Sequence, residues 1–291
     1  MYDDLDDLLT YDQAARYLER IGLSEDARRL RLNLTEHPTD PPVEPTRELL
    51  DRLIYAHQLT VPFENLEIRE LHKPVELGTG KLFDKIVNRN RGGYCFELNK
   101  SFNSLLKALG FKTTAHLGRI QMSAGALRPP THRINLVYFQ DGDSTKRYMS
   151  DVSFGGPQPA SSILLEVGHH TDSLGAQFRM VYGEEDLPRG ITKHAWFILR
   201  TSSAGEEQGL VSFEDYEQIE VNFVTPNYYT SNNPESRFVS GRTVNLRRTD
   251  GHAMISDDSF KLVSNGQTTE IDVSDAKVRA EVLKEYFNIV L

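Results

Sequence analysis

The hydrophobic period of this chain changes near Gly110, and that change limits the architectures open to it. Before Gly110 the apolar residues recur at helical spacing. The segments Tyr11 to Ile21 and Arg47 to His57 read as amphipathic helices, and Thr46 is placed to cap the second. A third helix follows the run Arg91-Gly92-Gly93-Tyr94-Cys95-Phe96-Glu97-Leu98-Asn99, with Phe102, Leu105, Leu106 and Leu109 on one face and Gly110 as its stop. After Gly110 the segments shorten and alternate: Thr113 to Ile120, Ile134 to Phe139, Tyr148 to Val152, Ala195 to Arg200 and Gln218 to Phe223. That alternation predicts an antiparallel barrel. Pro226 to Gly241, rich in Asn, Ser, Thr and Pro, reads as a crossover loop. Beyond it lie strands near Thr243 to Arg247, Ala253 to Ile255 and Phe260 to Val263, then a helix from Asp275 to Phe287 with Ser274 as its cap. The fold class is α+β.

Cys95 is the single cysteine of the 291 residues and falls in the first turn of the third helix. Unpaired backbone N–H groups and the positive end of the helix dipole favour a thiolate there. A buried free cysteine acting as a small hydrophobe is the alternative. A nucleophile needs a base, and the base needs an orienting group. His132 shares the strand face of Ile134, Leu136 and Tyr138, while Asp151 ends an apolar strand and is followed by Val152 and Phe154. Between them, Asp141-Gly142-Asp143-Ser144 reads as a hairpin turn, which puts His132 and Asp151 on adjacent strands. Asp151 then sets the imidazole tautomer while the other ring nitrogen faces Cys95.

With 33 basic and 42 acidic residues the net charge is −9, which argues against a nucleic-acid partner. No stretch of sequence is apolar enough for a membrane span, and the acidic start Met1-Tyr2-Asp3-Asp4 is unlike a signal peptide. The expected location is therefore the cytoplasm, where a reduced thiol persists. His169, His170 and His194 do not make a metal set, and no metal is expected. The oligomeric state is not legible.

The ordered motifs resemble the arylamine N-acetyltransferase family. They are Tyr17-Leu18-Glu19-Arg20-Ile21-Gly22, His57, Pro62-Phe63-Glu64-Asn65-Leu66, the Arg91 to Asn99 run, Thr131-His132, Asp151-Val152-Ser153-Phe154-Gly155, and Asn227 through Phe238. The resemblance implies a helical domain over 1–110 carrying the nucleophile, a β-barrel domain over 111–225 carrying His132 and Asp151, and a crossover loop with an α/β lid over 226–291. It also implies a cysteine-protease-like Cys/His/Asp core of Cys95, His132 and Asp151. Acetyl-CoA is the implied donor, and arylamines, arylhydrazines or arylhydroxylamines the acceptors. The implied coenzyme A contacts are Thr131, Arg128, Asn233 and Ser236, and aromatic acceptors suit a pocket of Phe63, Phe154 and Phe223. Glu64 is expected to pair with Arg91 and brace the glycine turn that presents Cys95.

Three departures from the family pattern matter. Ser153 stands where glycine is common, and Ala124 to Pro130 replaces a glycine-rich loop, its two prolines removing N–H donors while Arg128 offers charge. Ser24 to Val43, with Arg28-Arg29-Leu30-Arg31 and Pro38-Thr39-Asp40-Pro41-Pro42, reads as an inserted surface elaboration. Cysteine hydrolases and transglutaminase-like enzymes use the same three residue types in the same order, a binding module without turnover would keep them too, and Arg128 beside the donor would favour malonyl-CoA. These readings stay open at the level of sequence.

Overall fold

The computed structural model describes residues 4–36, 43–121, 128–173, 175–187, 191–202 and 204–291. Pro38 to Pro42 and Ala124 to Leu127 lie outside the described residues. The first part of the chain forms α1 (Tyr11–Arg20), α2 (Ser24–Glu36), α3 (Arg47–Thr60), the short strand β1 (Phe63–Glu64), α4 (Leu66–Arg69), α5 (Thr79–Phe83), a π-helical turn Asp84–Asn88, and α6 (Cys95–Ala108). Caps set the starts. Thr10 and Gln13 exchange hydrogen bonds at the head of α1, and Thr46 Oγ1 accepts from Leu49 N at 3.2 Å at the head of α3, the cap expected from sequence.

α6 is the central helix: all of its residues except Lys107 are buried, polar ones included. It ends as expected at Gly110, whose φ of +90° closes the helix with Phe111 N donating to Leu106 O and Gly110 N to Lys107 O, both at 3.0 Å. The segment read as a surface elaboration is instead α2, whose Ala27 and Leu30 are fully buried in the core with α1 and α6. Its arginine-rich side faces outward, which is what the composition reported.

The second part holds β2 (Lys112–Ile120), β3 (His132–Asp141), β4 (Ser144–Ser150), β5 (Ile163–Leu164), β6 (His170–Ser173), β7 (Ala176–Leu187), β8 (Ile191–Thr201) and β9 (Glu207–Phe213). They form one antiparallel, nearly closed sheet in the order β5-β4-β3-β2-β9-β8-β7-β6. Both faces of β3 are covered. Ile134 and Leu136 point into the barrel core with Met149, Phe178 and Ile198, while Val137 packs into the helical core with Phe111 and Ala115. The strand expected over Gln218 to Phe223 is only a bridge from Gln218 to Ala115, followed by a 3₁₀ turn, Glu220–Phe223, that turns Glu220 inward.

The expected crossover loop is two helices, α7 (Val224–Asn232) and α8 (Arg237–Ser240). Its polar side chains bond back to their own helix rather than competing with it: Thr230 Oγ1 donates to Pro226 O, Ser231 Oγ to Asn227 O, and Asn232 Nδ2 to Tyr228 O. Then come β10 (Thr243–Arg248), β11 (Gly251–Ser256), β12 (Ser259–Ser264), β13 (Gln267–Asp272) and α9 (Ala276–Phe287). With β1 these strands make a five-stranded sheet, β1-β10-β11-β12-β13, whose apolar face packs on α9 through Phe260, Val282, Leu283 and Phe287. The cap of α9 is Asp275, not Ser274; its carboxylate accepts from Lys277 N and Val278 N. Among the described residues no helix is long and apolar enough to cross a membrane.

Candidate active site

Cys95 is the first residue of α6 because the two residues before its cap allow a very close chain approach. A Cβ on Gly92 would lie 1.9 Å from Pro62 O, so only glycine fits. Gly93 bridges to Phe63, with Glu64 N donating to Gly93 O at 2.8 Å. The Glu97 carboxylate accepts from Tyr94 N at 3.1 Å and anchors the helix start. Under this turn runs a buried ion network. Arg91 donates to Glu64 Oε1 through Nη2 at 2.8 Å and Nε at 3.1 Å, the pairing expected from sequence, and Lys85 Nζ lies 2.6 Å from Glu97 and 2.8 Å from Glu67. Burial works against the charge on Lys85, but the Glu97, Glu64 and Glu67 carboxylates outweigh it and hold its pKa above the ordinary value.

The hairpin through Gly142-Asp143 pairs Asp141 with Ser144 and brings His132 and Asp151 to one end of the barrel. His132 Nε2 donates to Asp151 Oδ2 at 2.6 Å, and both side chains are buried. Cys95 lies near enough to His132 to raise its pKa. Since Nε2 is taken by Asp151, Nδ1 is the ring nitrogen left to serve the sulfur. The Cys95 sulfur lies 3.4 Å from Thr131 O. Burial would push His132 down, yet the charge and hydrogen bond of Asp151, together with Cys95, raise it to about 10. Burial would likewise raise Asp151, but the His132 charge, with hydrogen bonds from Asn99 and Ser153 N, holds it below the ordinary carboxylate range. An imidazolium beside sulfur and a carboxylate behind it is an arrangement suited to nucleophilic acyl chemistry.

Asn99, one helical turn after Cys95, carries a positioning role that sequence reasoning did not assign. Its Nδ2 donates to Asp151 Oδ1 at 2.8 Å, and its Oδ1 accepts from Val152 N at 3.0 Å. Asn135 Nδ2 donates to Asn99 O at 2.8 Å, tying β3 to the same helix. The i, i+4 relation of Asn99 to Cys95 was the available signal. Ser153 N donates to Asp151 Oδ1 at 2.8 Å, and its φ is not positive, so serine is accommodated where glycine is common. Gln58 Nε2 donates to Asp151 O at 3.2 Å.

The remaining predicted residues divide. Phe154 stands edge-on to the His132 ring at 5.8 Å, and Phe63 packs against Phe238. Phe223 is not a pocket residue: it is fully buried between Phe96 and the Arg133 guanidinium, which lies 4.3 Å from its ring. Thr131 adjoins the thiol through its carbonyl. Arg128 is exposed, and its carbonyl accepts from the Arg119 guanidinium. Asn233 and Ser236 shape the turn between α7 and α8, where Asn233 Oδ1 accepts from Glu235 N and Ser236 Oγ donates to Thr230 O at 2.5 Å. This turn sits over the start of α6, since Phe238 meets the Tyr94 ring at 5.4 Å and Tyr94 OH donates to Asn227. A cavity of about 940 Å³ adjoins the region at Phe63 and Val152, but Cys95 and His132 are not on its wall.

The sequence profile of the N-acetyltransferase family matches residues 46–291. An arylamine N-acetyltransferase of Mycobacterium tuberculosis is 31% identical over 84% of this chain and 84% of its own length. The arylamine N-acetyltransferase structure from Mycobacterium abscessus superposes with a TM-score of 0.79 at 26% identity, covering 96% of this chain and 90% of that one. The structure of the Mycobacterium marinum arylamine N-acetyltransferase in complex with CoA superposes with a TM-score of 0.76 at 26% identity, covering 94% and 91%. The motif order, the barrel end that gathers Cys95, His132 and Asp151, and these matches agree: the chain belongs to the arylamine N-acetyltransferase family and is a transferase.

Proposed function

We propose that the protein moves an acetyl group from acetyl-CoA to an arylamine, arylhydrazine or arylhydroxylamine in two steps through a thioester on Cys95. The observation that carries this reading is the burial of Cys95, His132 and Asp151 together, with an Nε2 to Oδ2 separation of 2.6 Å and Cys95 near enough to raise the pKa of His132. Membership of the family supports acetyl transfer to arylamines, and the CoA complex of the M. marinum relative supports coenzyme A as the acyl carrier.

In the first step the Cys95 sulfur, its proton held on His132, attacks the thioester carbonyl. A bond forms from Cys95 sulfur to the acyl carbon, and the carbonyl electron pair moves to oxygen. The backbone N–H of Cys95, one of the unpaired N–H groups at the start of α6, donates to that oxyanion. When the carbonyl re-forms, the bond to the coenzyme sulfur breaks and His132 returns the proton to the leaving thiol. In the second step the amine nitrogen attacks the Cys95 thioester and His132 takes its proton. The C–S bond breaks, releasing the N-acetyl product and Cys95. Asp151 holds the ring and balances its charge throughout.

Intact-mass analysis after mixing with acetyl-CoA tests this directly. The expected result is an acetyl-sized increase on Cys95 that disappears when an arylamine is added and is absent in Cys95→Ala. No increase in the wild type, or an equal increase in Cys95→Ala, overturns the reading. Rapid decay without amine points to hydrolysis instead.

A further inference from the structure

Arg20, the last residue of α1, takes no part in the acyl-transfer steps, yet its guanidinium reaches three separate parts of the chain around the Cys95 turn. Its Nη1 donates to Thr60 O at 2.9 Å, its Nε to Ile86 O at 3.1 Å and its Nη2 to Asn90 O at 3.3 Å. Thr60 ends α3, Ile86 lies in the π-helical turn, and Asn90 stands two residues before Gly92 with a φ of +53°. Among the described residues no carboxylate pairs with Arg20, so three backbone carbonyls are what answers its charge. Burial pulls its pKa below the ordinary arginine value, against the influence of Tyr17.

Thr60 O is one of the last four carbonyls of α3, which find no partner within the helix. The other two acceptors belong to the segment that leads into Arg91-Gly92-Gly93. Their positions matter because the Cys95 turn depends on one very close approach, Gly92 against Pro62 O. Arg20 grips the chain two residues upstream on either side of that approach, at Thr60 and at Asn90. One turn earlier in α1, Tyr17 OH meets His57 Nε2 at 3.1 Å, in the last turn of α3. Burial, and then Arg20, hold His57 down to about 3, while burial raises Tyr17, so this second contact joins neutral groups and does not alter with pH near neutrality. Tyr17, Arg20 and His57 are motif residues with no duty in the acyl chemistry, and here they share one task.

We propose that Arg20 is a positioning residue for the nucleophile: by spanning Thr60, Ile86 and Asn90 it fixes the approach of Gly92 to Pro62, and so the place of the Cys95 sulfur near His132. A planar fork of N–H groups reaches three carbonyls at once, which the compact ammonium of a lysine does not. The inference rests on the proposed role of Cys95 as nucleophile. Two rates, each corrected for folded fraction, test it: alkylation of Cys95 by iodoacetamide at about pH 6, where an isolated thiol is almost wholly protonated, and single-turnover acetylation by acetyl-CoA. Arg20→Lys keeps the charge but not the fork, and Arg20→Met keeps neither. Both rates are expected to fall about tenfold or more in each variant, and the alkylation profile to move to higher pH. Leu30→Ala, on the buried side of α2, is the control for stability alone: it is expected to lower the melting temperature and leave both rates near wild type. Arg20→Lys carries the test if Arg20→Met does not fold. Wild-type rates in Arg20→Lys, or equal slowing in Leu30→Ala, overturn the proposal. Iodoacetamide needs no acyl donor, so a wild type that reacts with it but is not acetylated overturns the proposed function and leaves the test of Arg20 intact.

Discussion

β3 begins with two successive residues that each end on a buried carboxylate, and the function we propose draws on only one of the pairs. His132 meets Asp151 at 2.6 Å; Arg133, next in the chain, grips Glu220 with two hydrogen bonds of 2.7 and 2.8 Å. The Arg133 guanidinium stacks on Phe223 and gives its reach to one carboxylate. Burial opposes the charge on Glu220, but Arg133 and then Lys100 hold it down to about 2. His132 differs in having a second ring nitrogen that Asp151 does not take, with Cys95 close by, and a proton that can leave. A buried ion pair becomes a relay only when its cation is titratable and also touches a nucleophile.

Breaking the two pairs is expected to have opposite signatures. The largest effect belongs to His132→Ala, which removes the proton carrier and is expected to lower acetyl transfer per folded molecule by about 10²–10⁴-fold in steady-state assays. Asp151→Asn leaves the ring but not its orientation and is expected to lower the rate by a similar order. Glu220→Gln is expected to act on folding instead. It leaves Arg133 and Lys100 buried without their carboxylate, which destabilises by about 3–5 kcal/mol in denaturant titrations while turnover per folded molecule stays near wild type. If Glu220→Gln slowed turnover as much as Asp151→Asn, the distinction between the pairs would be wrong.

The smallest effect is on stability against pH. His132 is raised from 6.5 to about 10, so its contribution to stability is complete below pH 6.5 and fades as pH rises towards 10. Asp151 is lowered from 3.8, so its contribution is present above that value and lost as pH falls through the folded-state value. The stability difference between wild type and His132→Gln is therefore expected to be flat between about pH 4 and 6.5 and to shrink towards pH 10. For Glu220, lowered from 4.5 to about 2, the difference between wild type and Glu220→Gln is expected to stay level above about 4.5 and to fall only in acid. Chemical denaturation at a series of pH values checks both; identical profiles would erase the comparison.

Local chemistry was legible in the sequence, and of the long-range partnerships only those carried by the motifs were, such as Glu64 with Arg91 and His132 with Asp151. The Gly110 stop, the Thr46 cap and the two-residue hairpin at Gly142 depend on neighbours a few residues away, and they appear as expected. The pairing of His132 with Asp151 was reachable because strand period and turn type together bring the two residues to one end of the hairpin. Phe223 was misread because nothing near it in sequence shows that Arg133 lies over its ring, and Glu220 looked like a strand residue because its partners are 87 and 120 positions away. The α7 and α8 segment looked like loop by composition, since back-bonding by Thr230 and Ser231 becomes visible only once the helix exists. β13 was missed because most of it is exposed and offers no alternation.

The central claim is that the His132 and Asp151 pair drives acetylation of Cys95 while the Arg133 and Glu220 pair only holds the fold. Rapid-quench mass spectrometry of single-turnover acetylation by acetyl-CoA, corrected for folded fraction, measures this in Asp151→Asn and Glu220→Gln side by side. The account predicts a rate at least about 100-fold below wild type for Asp151→Asn and a near wild-type rate for Glu220→Gln. Equal rates in the two variants, or Cys95 acetylated at the wild-type rate in Asp151→Asn, would contradict it.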